Sequence, residues 1–539
     1  MVPAPAAGET LTRGRSSGSF PPPHDLASCG VGSDRIAELA GLTLPDFMRT
    51  RRAPEPGIAA GAAFFLAFVL IWWAYGTIAD AGKALDGDVI EAYVWGREFR
   101  LGYNQHPPLW AWICGAWFEL FPARSWAFHL LAVVNSGVGL LGCWRLIGLF
   151  ATGWTRLASF ALLLLTPFYT FLCYKYNANS IFLSIWPWTL YFFVASLTTR
   201  RRADAIWFSV LLAAAMLSKY YAITLALTCL AASMVHPARR AYYRSASPYI
   251  SVCICVLLVL PHVFWLVTSD APPVAYILAR TGGGMLRAVR YGGELLGAIA
   301  LFHVAAILVV LAAAYPSIRF AREPLGRERL LLVLVLVPIV LTILFGLVFE
   351  LEVSSNMMIG TFPLVPLLLI RAIPSAEPWR IARVSILAAA ASAVAVLIAS
   401  PAVAYVAFHS NDPAATEPRE ELAAYVTQLW HEQTGTKLRI VAGTDPYENA
   451  IGFYSPDQPK VFIGFSEWKA PWITPAALAR DGLLVVCLRA YAFCPVQAEP
   501  FLSPDTKRFT VSLAHEFRGQ RRDPMEFTIL LVPPKAPRK

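Results

Sequence analysis

Apolar runs of about twenty residues recur along the first 408 positions of the chain and then stop. A helix needs about 20 apolar residues to cross the hydrocarbon layer of a bilayer. On that length the runs predict spans at 57–75, 127–149, 157–174, 181–197, 205–218, 222–235, 250–267, 295–314, 330–349, 357–370 and 384–408, about eleven in all. The stretch 109–121 is apolar but too short, and is expected to lie in the outer interface, a level that Trp110, Trp112 and Trp117 favour. Beyond about residue 409 the apolar runs shrink to strand length. An amphipathic helix is expected at 420–432, with strands at 438–442, 461–465, 483–487, 509–513 and 527–532. The pattern defines a polytopic α-helical membrane domain at 51–408 and a soluble α/β domain at 409–539. Residues 1–50, rich in Pro, Ser and Gly, are expected to form a disordered tail.

Charge orients the threading. With the N-terminus in the cytoplasm, every second loop is basic. These loops hold Arg145 and Arg156; Arg200, Arg201 and Arg202; Arg239, Arg240 and Arg244; Arg319, Arg322, Arg327 and Arg329; and Arg371, Arg380 and Arg383. The opposite loops carry Asp86, Asp88, Glu91 and Glu98, then Lys175, Lys219, Asp270, Glu350 and Glu352. The first of them also holds Lys83, Arg97, Arg100 and Arg124, so its sign is mixed. This threading places the last domain outside a bacterial inner membrane, in the periplasm.

Composition agrees. Hydrophobic residues make up 57% of the chain and charged ones only 15%, against roughly 25% charged in soluble domains. The formal net charge of +10 is explained by the arginines between spans, so no nucleic-acid partner is called for. Of nine cysteines, only Cys487 and Cys494 fall in the outer domain. There they either form a disulfide or remain two buried thiols.

Candidate chemistry concentrates in the first outer loop, which reads Asp86-Gly87-Asp88-Val89-Ile90-Glu91-Ala92-Tyr93-Val94-Trp95 and then Gly102-Tyr103-Asn104-Gln105-His106-Pro107-Pro108-Leu109. On a helix Asp88 and Glu91 share a face. Such carboxylates serve as a general base or hold a metal, or else cap a short helix. Cations on the outer side, Lys175, Lys219, Arg280, Arg287 and Arg290, run against the positive-inside trend, so each asks for a reason. Snorkelling from a helix end, or the polar face of an interfacial helix, is the plain alternative. His106 is a candidate phosphate or metal contact, with a structural role as the alternative.

The run of an acidic residue, Ala92-Tyr93, Trp95, Gly102-Tyr103 and His106-Pro107-Pro108-Leu109 resembles the first outer loop of the polyprenol-phosphate-dependent GT-C glycosyltransferases. These are the protein mannosyltransferase and aminoarabinose-transferase-like enzymes of glycosyltransferase family 39. The segments Lys175-Tyr176-Asn177-Ala178-Asn179 and Leu217-Ser218-Lys219-Tyr220-Tyr221 extend the likeness, which covers about 57–370 in arrangement. The resemblance implies an inverting hexosyl- or pentosyltransferase. It would move a sugar from a polyprenyl-phosphate carrier to an envelope lipid, glycan or protein. It implies catalytic roles for Asp88, Glu91 and Asp86, and donor-phosphate contacts from Lys219, Lys175, His106 and Arg280. Substrate contacts would come from Tyr93, Tyr103, Asn104, Asn177, Asn179 and Tyr220. Three positions depart from the pattern: Ile90 where the family has Asp, Asn177 and Asn179 where it has an acidic residue, and Ser354-Ser355-Asn356 where it has a basic one. The first two leave a divalent metal doubtful. A lipid-linked sugar flippase and a non-catalytic membrane scaffold are the alternative readings.

Overall fold

The computed structural model describes residues 57–269, 272–321 and 328–535. The N-terminal tail with Arg51 and Arg52, and also Asp270, Arg322 and Arg327, lie outside the described residues.

Fourteen helices are numbered here as far as the last apolar one. They are α1 Ile58–Ala79, α2 Gly87–Gly96, α3 Leu109–Leu120, α4 Ser125–Ile147, α5 Gly153–Leu163, α6 Phe182–Thr199 and α7 Arg202–Met216. The series continues with α8 Ile223–Val235, α9 Ser247–Thr268, α10 Met285–Phe302, α11 Val304–Ala314, α12 Arg329–Val348, α13 Val365–Ala372 and α14 Pro378–Phe408. Among the described residues six are long and apolar enough to cross a membrane: α1, α4, α6, α9, α12 and α14. The pair α10 and α11, bent by 51° around His303, makes a seventh if counted as one span. At 22 residues, α1 is about 33 Å long, enough for the hydrocarbon layer. Several expected spans are shorter or broken. The run at 157–174 ends as a helix at Leu163 and turns through Pro167–Tyr169. The run at 357–370 is a 3-10 turn followed by the eight residues of α13. Length and hydropathy therefore establish a multi-pass membrane protein without fixing the count at eleven.

The stretch at 109–121 is helical, as α3, but its tryptophans do not all face an interface. Trp110 is buried, in contact with the rings of Trp95 and His106. The reason is the close crossing of α2 and α3. A Cβ on Gly96 would lie 2.2 Å from the Ala111 carbonyl oxygen, and one on Gly115 would lie 2.3 Å from that of Gly96. Only two glycines allow the backbones to meet there.

The C-terminal region opens with α15, Arg419–Thr434. It continues through β1 Ile440–Gly443, α16 Tyr447–Tyr454, β2 Lys460–Val461, β3 Leu483–Leu488, β4 Lys507–Leu513, β5 Glu516–Phe517, β6 Gln520–Arg521 and β7 Met525–Val532. The main sheet has the order β2-β1-β3-β7-β4, with β2, β1 and β3 parallel and β7 antiparallel to both of its neighbours. A strand covered on both faces reads as an unbroken apolar run, which is the pattern Leu483-Leu484-Val485-Val486-Cys487 shows. The expected strand at 461–465 is cut to two residues because a 3-10 turn at Ile463–Phe465, with Gly464 at φ +58°, takes over. Cys487 and Cys494 form a disulfide, with Cα atoms 5.5 Å apart.

This region is seated directly on the loop after α1. The Tyr454 hydroxyl accepts from the Leu85 amide at 2.8 Å, and Arg419 donates to the Leu85 carbonyl at 2.6 Å. Lys460 pairs with Glu98 at 2.7 Å. Phe453 packs edge-on against Tyr93, with ring centres 5.0 Å apart.

Candidate active site

The site begins with α2. Asp86 is its N-cap, and its carboxylate accepts from the Asp88 amide at 3.1 Å. Val89, Ile90, Ala92, Val94 and Trp95 are buried and anchor the helix. Asp88 keeps part of its surface exposed while its surroundings take much of its water, and Glu91 is half-buried. Ile90 is 0% exposed, so at position 90 the packing takes a hydrocarbon. The acidic pair of this chain is therefore Asp88 with Glu91.

Cations converge on that region from three other segments. Lys175, in the loop before α6, donates to Asp86 at 2.6 Å. Lys219, in the turn between α7 and α8, donates to the Asn179 side-chain oxygen. The turn is tied to the His-Pro-Pro-Leu motif, because the Leu109 amide donates to the Leu217 carbonyl at 2.8 Å. This backbone bond brings His106 and Lys219 to one place. Arg280, on the segment after the short helix Pro272–Leu278, lies over the Tyr276 ring at 4.5 Å. That segment is pinned where Gly283 donates to the Glu350 carbonyl at 3.2 Å and Gly284 to the Glu350 carboxylate at 3.1 Å. Gly282 and Gly284 have φ of +76° and +96°, values that favour glycine.

The groups perturb one another. Burial raises Glu91 well above the usual carboxylate range, and the charges of Asp88 and Asp445 add to this. Asp88 is raised by burial and by Asp86, against the opposing pull of Lys175 and Lys219. Lys219 is lowered to about 8 by burial, with Asp88 working against that and Arg280 with it. His106 is pushed down to about 3 by burial and by the repulsion of Lys219 and Arg280, so it is a neutral imidazole at physiological pH. For Lys175 burial acts downward, but its Asp86 partner prevails and the net shift is up.

The remaining sequence candidates divide. Asn179 holds Lys219 and sits in the site. Asn177 accepts from the Asn179 and Ser180 amides at 2.9 and 3.1 Å and so shapes the turn. Tyr220 bonds His262 at 3.0 Å, which in turn reaches the Leu101 carbonyl at 2.8 Å. Tyr93 is buried between Phe118 and Phe453. Tyr103 is buried on Trp95 and donates to the Trp95 carbonyl at 2.7 Å. Both tyrosines thus have their faces taken up by packing. Asn104 is half-buried in the same loop. Arg290 pairs with Glu294 at 2.8 Å, one turn along α10. Asp445 is the residue that sequence reasoning missed. It follows β1, at the carboxyl end of a parallel strand, a place where open α/β sheets present ligand-facing groups. Among the described residues no group of three or more His, Cys, Asp or Glu side chains is placed to hold a metal ion.

A multi-pass helical region thus brings carboxylates and cations together where the loop after α1 meets the C-terminal region. Residues 105–265 match the model of a family described as dolichyl-phosphate-mannose-protein mannosyltransferase. That segment includes His106, Asn179 and Lys219 and begins after the acidic pair. Two crystal structures of ArnT from Cupriavidus metallidurans, one bound to undecaprenyl phosphate and one in the apo state, share the fold. Their TM-scores are 0.53 and 0.55 at 14% identity, over 88% of this chain and 98% of theirs. No curated protein matches the sequence. The family match thus covers the His106-Pro107-Pro108-Leu109 end of the first loop and the segments that follow it, and the fold is the one seen in the ArnT structures.

Proposed function

We propose that the protein transfers a sugar from a polyprenyl-phosphate carrier to an envelope lipid, glycan or protein on the outer face of the bacterial inner membrane. One observation carries the reading: an Asp88/Glu91 pair of raised proton affinity stands opposite Lys219, whose side-chain partner is a neutral amide. Because Asn179 supplies no negative charge, the Lys219 ammonium is left to bind an anion. An acidic partner at position 179 would neutralise it. Undecaprenyl phosphate bound by a protein of the same fold supports a polyprenyl phosphate as that anion.

In the reaction an acceptor hydroxyl or amine attacks the anomeric carbon in line with the phosphate. The new bond forms as the bond from that carbon to the phosphate oxygen breaks, and the configuration inverts. The Asp88/Glu91 pair takes the acceptor's proton. Lys219 and Arg280 meet the charge that develops on the departing phosphate, and neutral His106 offers it a hydrogen bond. The two close carboxylates titrate as a pair, so the proton is assigned to both.

The cytoplasmic N-terminus and periplasmic C-terminal domain are part of this proposal. The Cys487–Cys494 disulfide supports them, since such bonds persist in oxidising compartments. The test is reconstitution in liposomes with a labelled polyprenyl-phosphate sugar and an envelope lipid extract. Label should enter product, and Asp88→Asn and Glu91→Gln should abolish this. Label that only changes leaflet would make the protein a flippase, and no movement at all would make it a scaffold.

A further inference from the structure

We propose that Asp445, carried by the C-terminal domain, is a positioning residue of the transfer site, its carboxylate acting on the Asp88/Glu91 pair and not on the sugar. The inference rests on the proposed function for its activity readout and on contacts alone for its geometry.

Those contacts run along one helix-to-helix seam. The Pro446 ring lies 3.8 Å from where a Cβ on Gly87 would stand, so Asp445 and Asp88 each adjoin a single point of touch. Further along, a Cβ on Gly452 would be 3.5 Å from Val94, and Phe453 meets Tyr93. Helix α16 is therefore laid against α2 with its N-terminal end at the catalytic end of α2. The Asp445 carboxylate is itself held, accepting from the Asn449 amide group at 2.9 Å, while the residue stays exposed. It has no cation partner among the described ion pairs, unlike Asp86, which is bound to Lys175.

Five further charged or titratable groups act on the pair: Asp86 from its own helix cap, Lys175 and Lys219 from the two loops, Tyr276 from the pinned segment, and Asp445 from the C-terminal region; Arg280 acts on Lys219, and buried Glu448 faces Asp445. Asp445 is the one that arrives from outside the membrane domain. Like charge at short range favours proton uptake. Asp445 thereby strengthens the base, in keeping with its part in the rise of both Asp88 and Glu91. Full basicity then requires that the C-terminal domain be docked.

The test uses the full-length protein in nanodiscs, with Asp445→Asn and Asp445→Glu. One readout is the pH profile of transfer. The other is an infrared titration of the protonated carboxyl band identified by its loss in Glu91→Gln, which needs no activity. In Asp445→Asn the acid limb and the infrared midpoint should both move to lower pH by roughly half a unit or more. Asp445→Glu should bring them back. Should Asp445→Asn fail to fold, Asp445→Ser is read in the same way. An unmoved midpoint in the folded variant overturns the inference, whatever happens to kcat. Absence of transfer by the wild type would sink the proposed function, while the infrared midpoint would still decide on Asp445.

Discussion

At the scale of single residues, Lys219 has an environment that makes a sharp prediction. Its ammonium is enclosed by protein and shares its neighbourhood with Arg280, and its pKa falls to about 8. A lowered cation is charged below that value and neutral above it. KM for the donor should therefore be flat below about pH 8 and rise above it. Lys219→Met should remove this rise and weaken donor binding by roughly thirtyfold, from a charge-assisted hydrogen bond of about 2 kcal/mol. His106 gives the opposite case. With its pKa near 3 it carries no charge at working pH, so His106→Asn, which keeps a neutral donor and acceptor, should retain far more activity than His106→Ala. Comparing kcat and KM for the two variants checks this. The pairing of Asp88 with Glu91 could be read in the sequence because residues three apart on a helix share a face. The burial of Ile90 was not, since it depends on what α2 packs against.

At the scale of elements, the seam between α2 and α3 is the least tolerant place near the site. A methyl group on Gly115 would collide with backbone that has no room to give. Gly115→Ala should cost about 1–3 kcal/mol and lower the melting temperature measured in detergent. Replacement of exposed Leu120 at the end of the same helix should change little. The same seam explains why the placing of 109–121 could be read only in part. Its length and apolarity argued correctly for a helix short of a full span. They could not say that Trp110 would be folded inward, because that follows from two glycines in different elements meeting. Likewise 157–174 reads as one apolar run, while Pro167 and the turn it begins divide it in the fold. Strands fared better, since Leu483-Leu484-Val485-Val486-Cys487 is short, apolar throughout and bounded by Gly482.

Across the whole molecule, the chain joins a multi-pass helical part to an α/β region, and the proposed site lies where they touch. Asp445 could not be found from local pattern because its relation to Asp88 spans more than 350 positions and exists only once α16 is seated on α2. The orientation drawn from the arginines has a direct check. In intact spheroplasts a membrane-impermeant thiol reagent should label Lys437→Cys, at an exposed position ahead of β1, from outside, and should leave the buried, bonded Cys487 and Cys494 unlabelled. The double change Cys487→Ser with Cys494→Ser should lower stability by about 2 kcal/mol, as expected for so short a closed loop, and leave transfer largely intact. Labelling only in broken membranes would put the domain on the other side.

The central claim is that the acidic pair and Lys219 work together on a lipid-phosphate sugar. It is tested most directly by single-turnover transfer in proteoliposomes loaded with labelled polyprenyl-phosphate sugar, comparing the wild type with Glu91→Gln and Lys219→Met. The wild type should form product, Glu91→Gln should hold donor unreacted, and Lys219→Met should bind donor more weakly. Product formed by Glu91→Gln at the wild-type rate, or donor held equally well without Lys219, would contradict it.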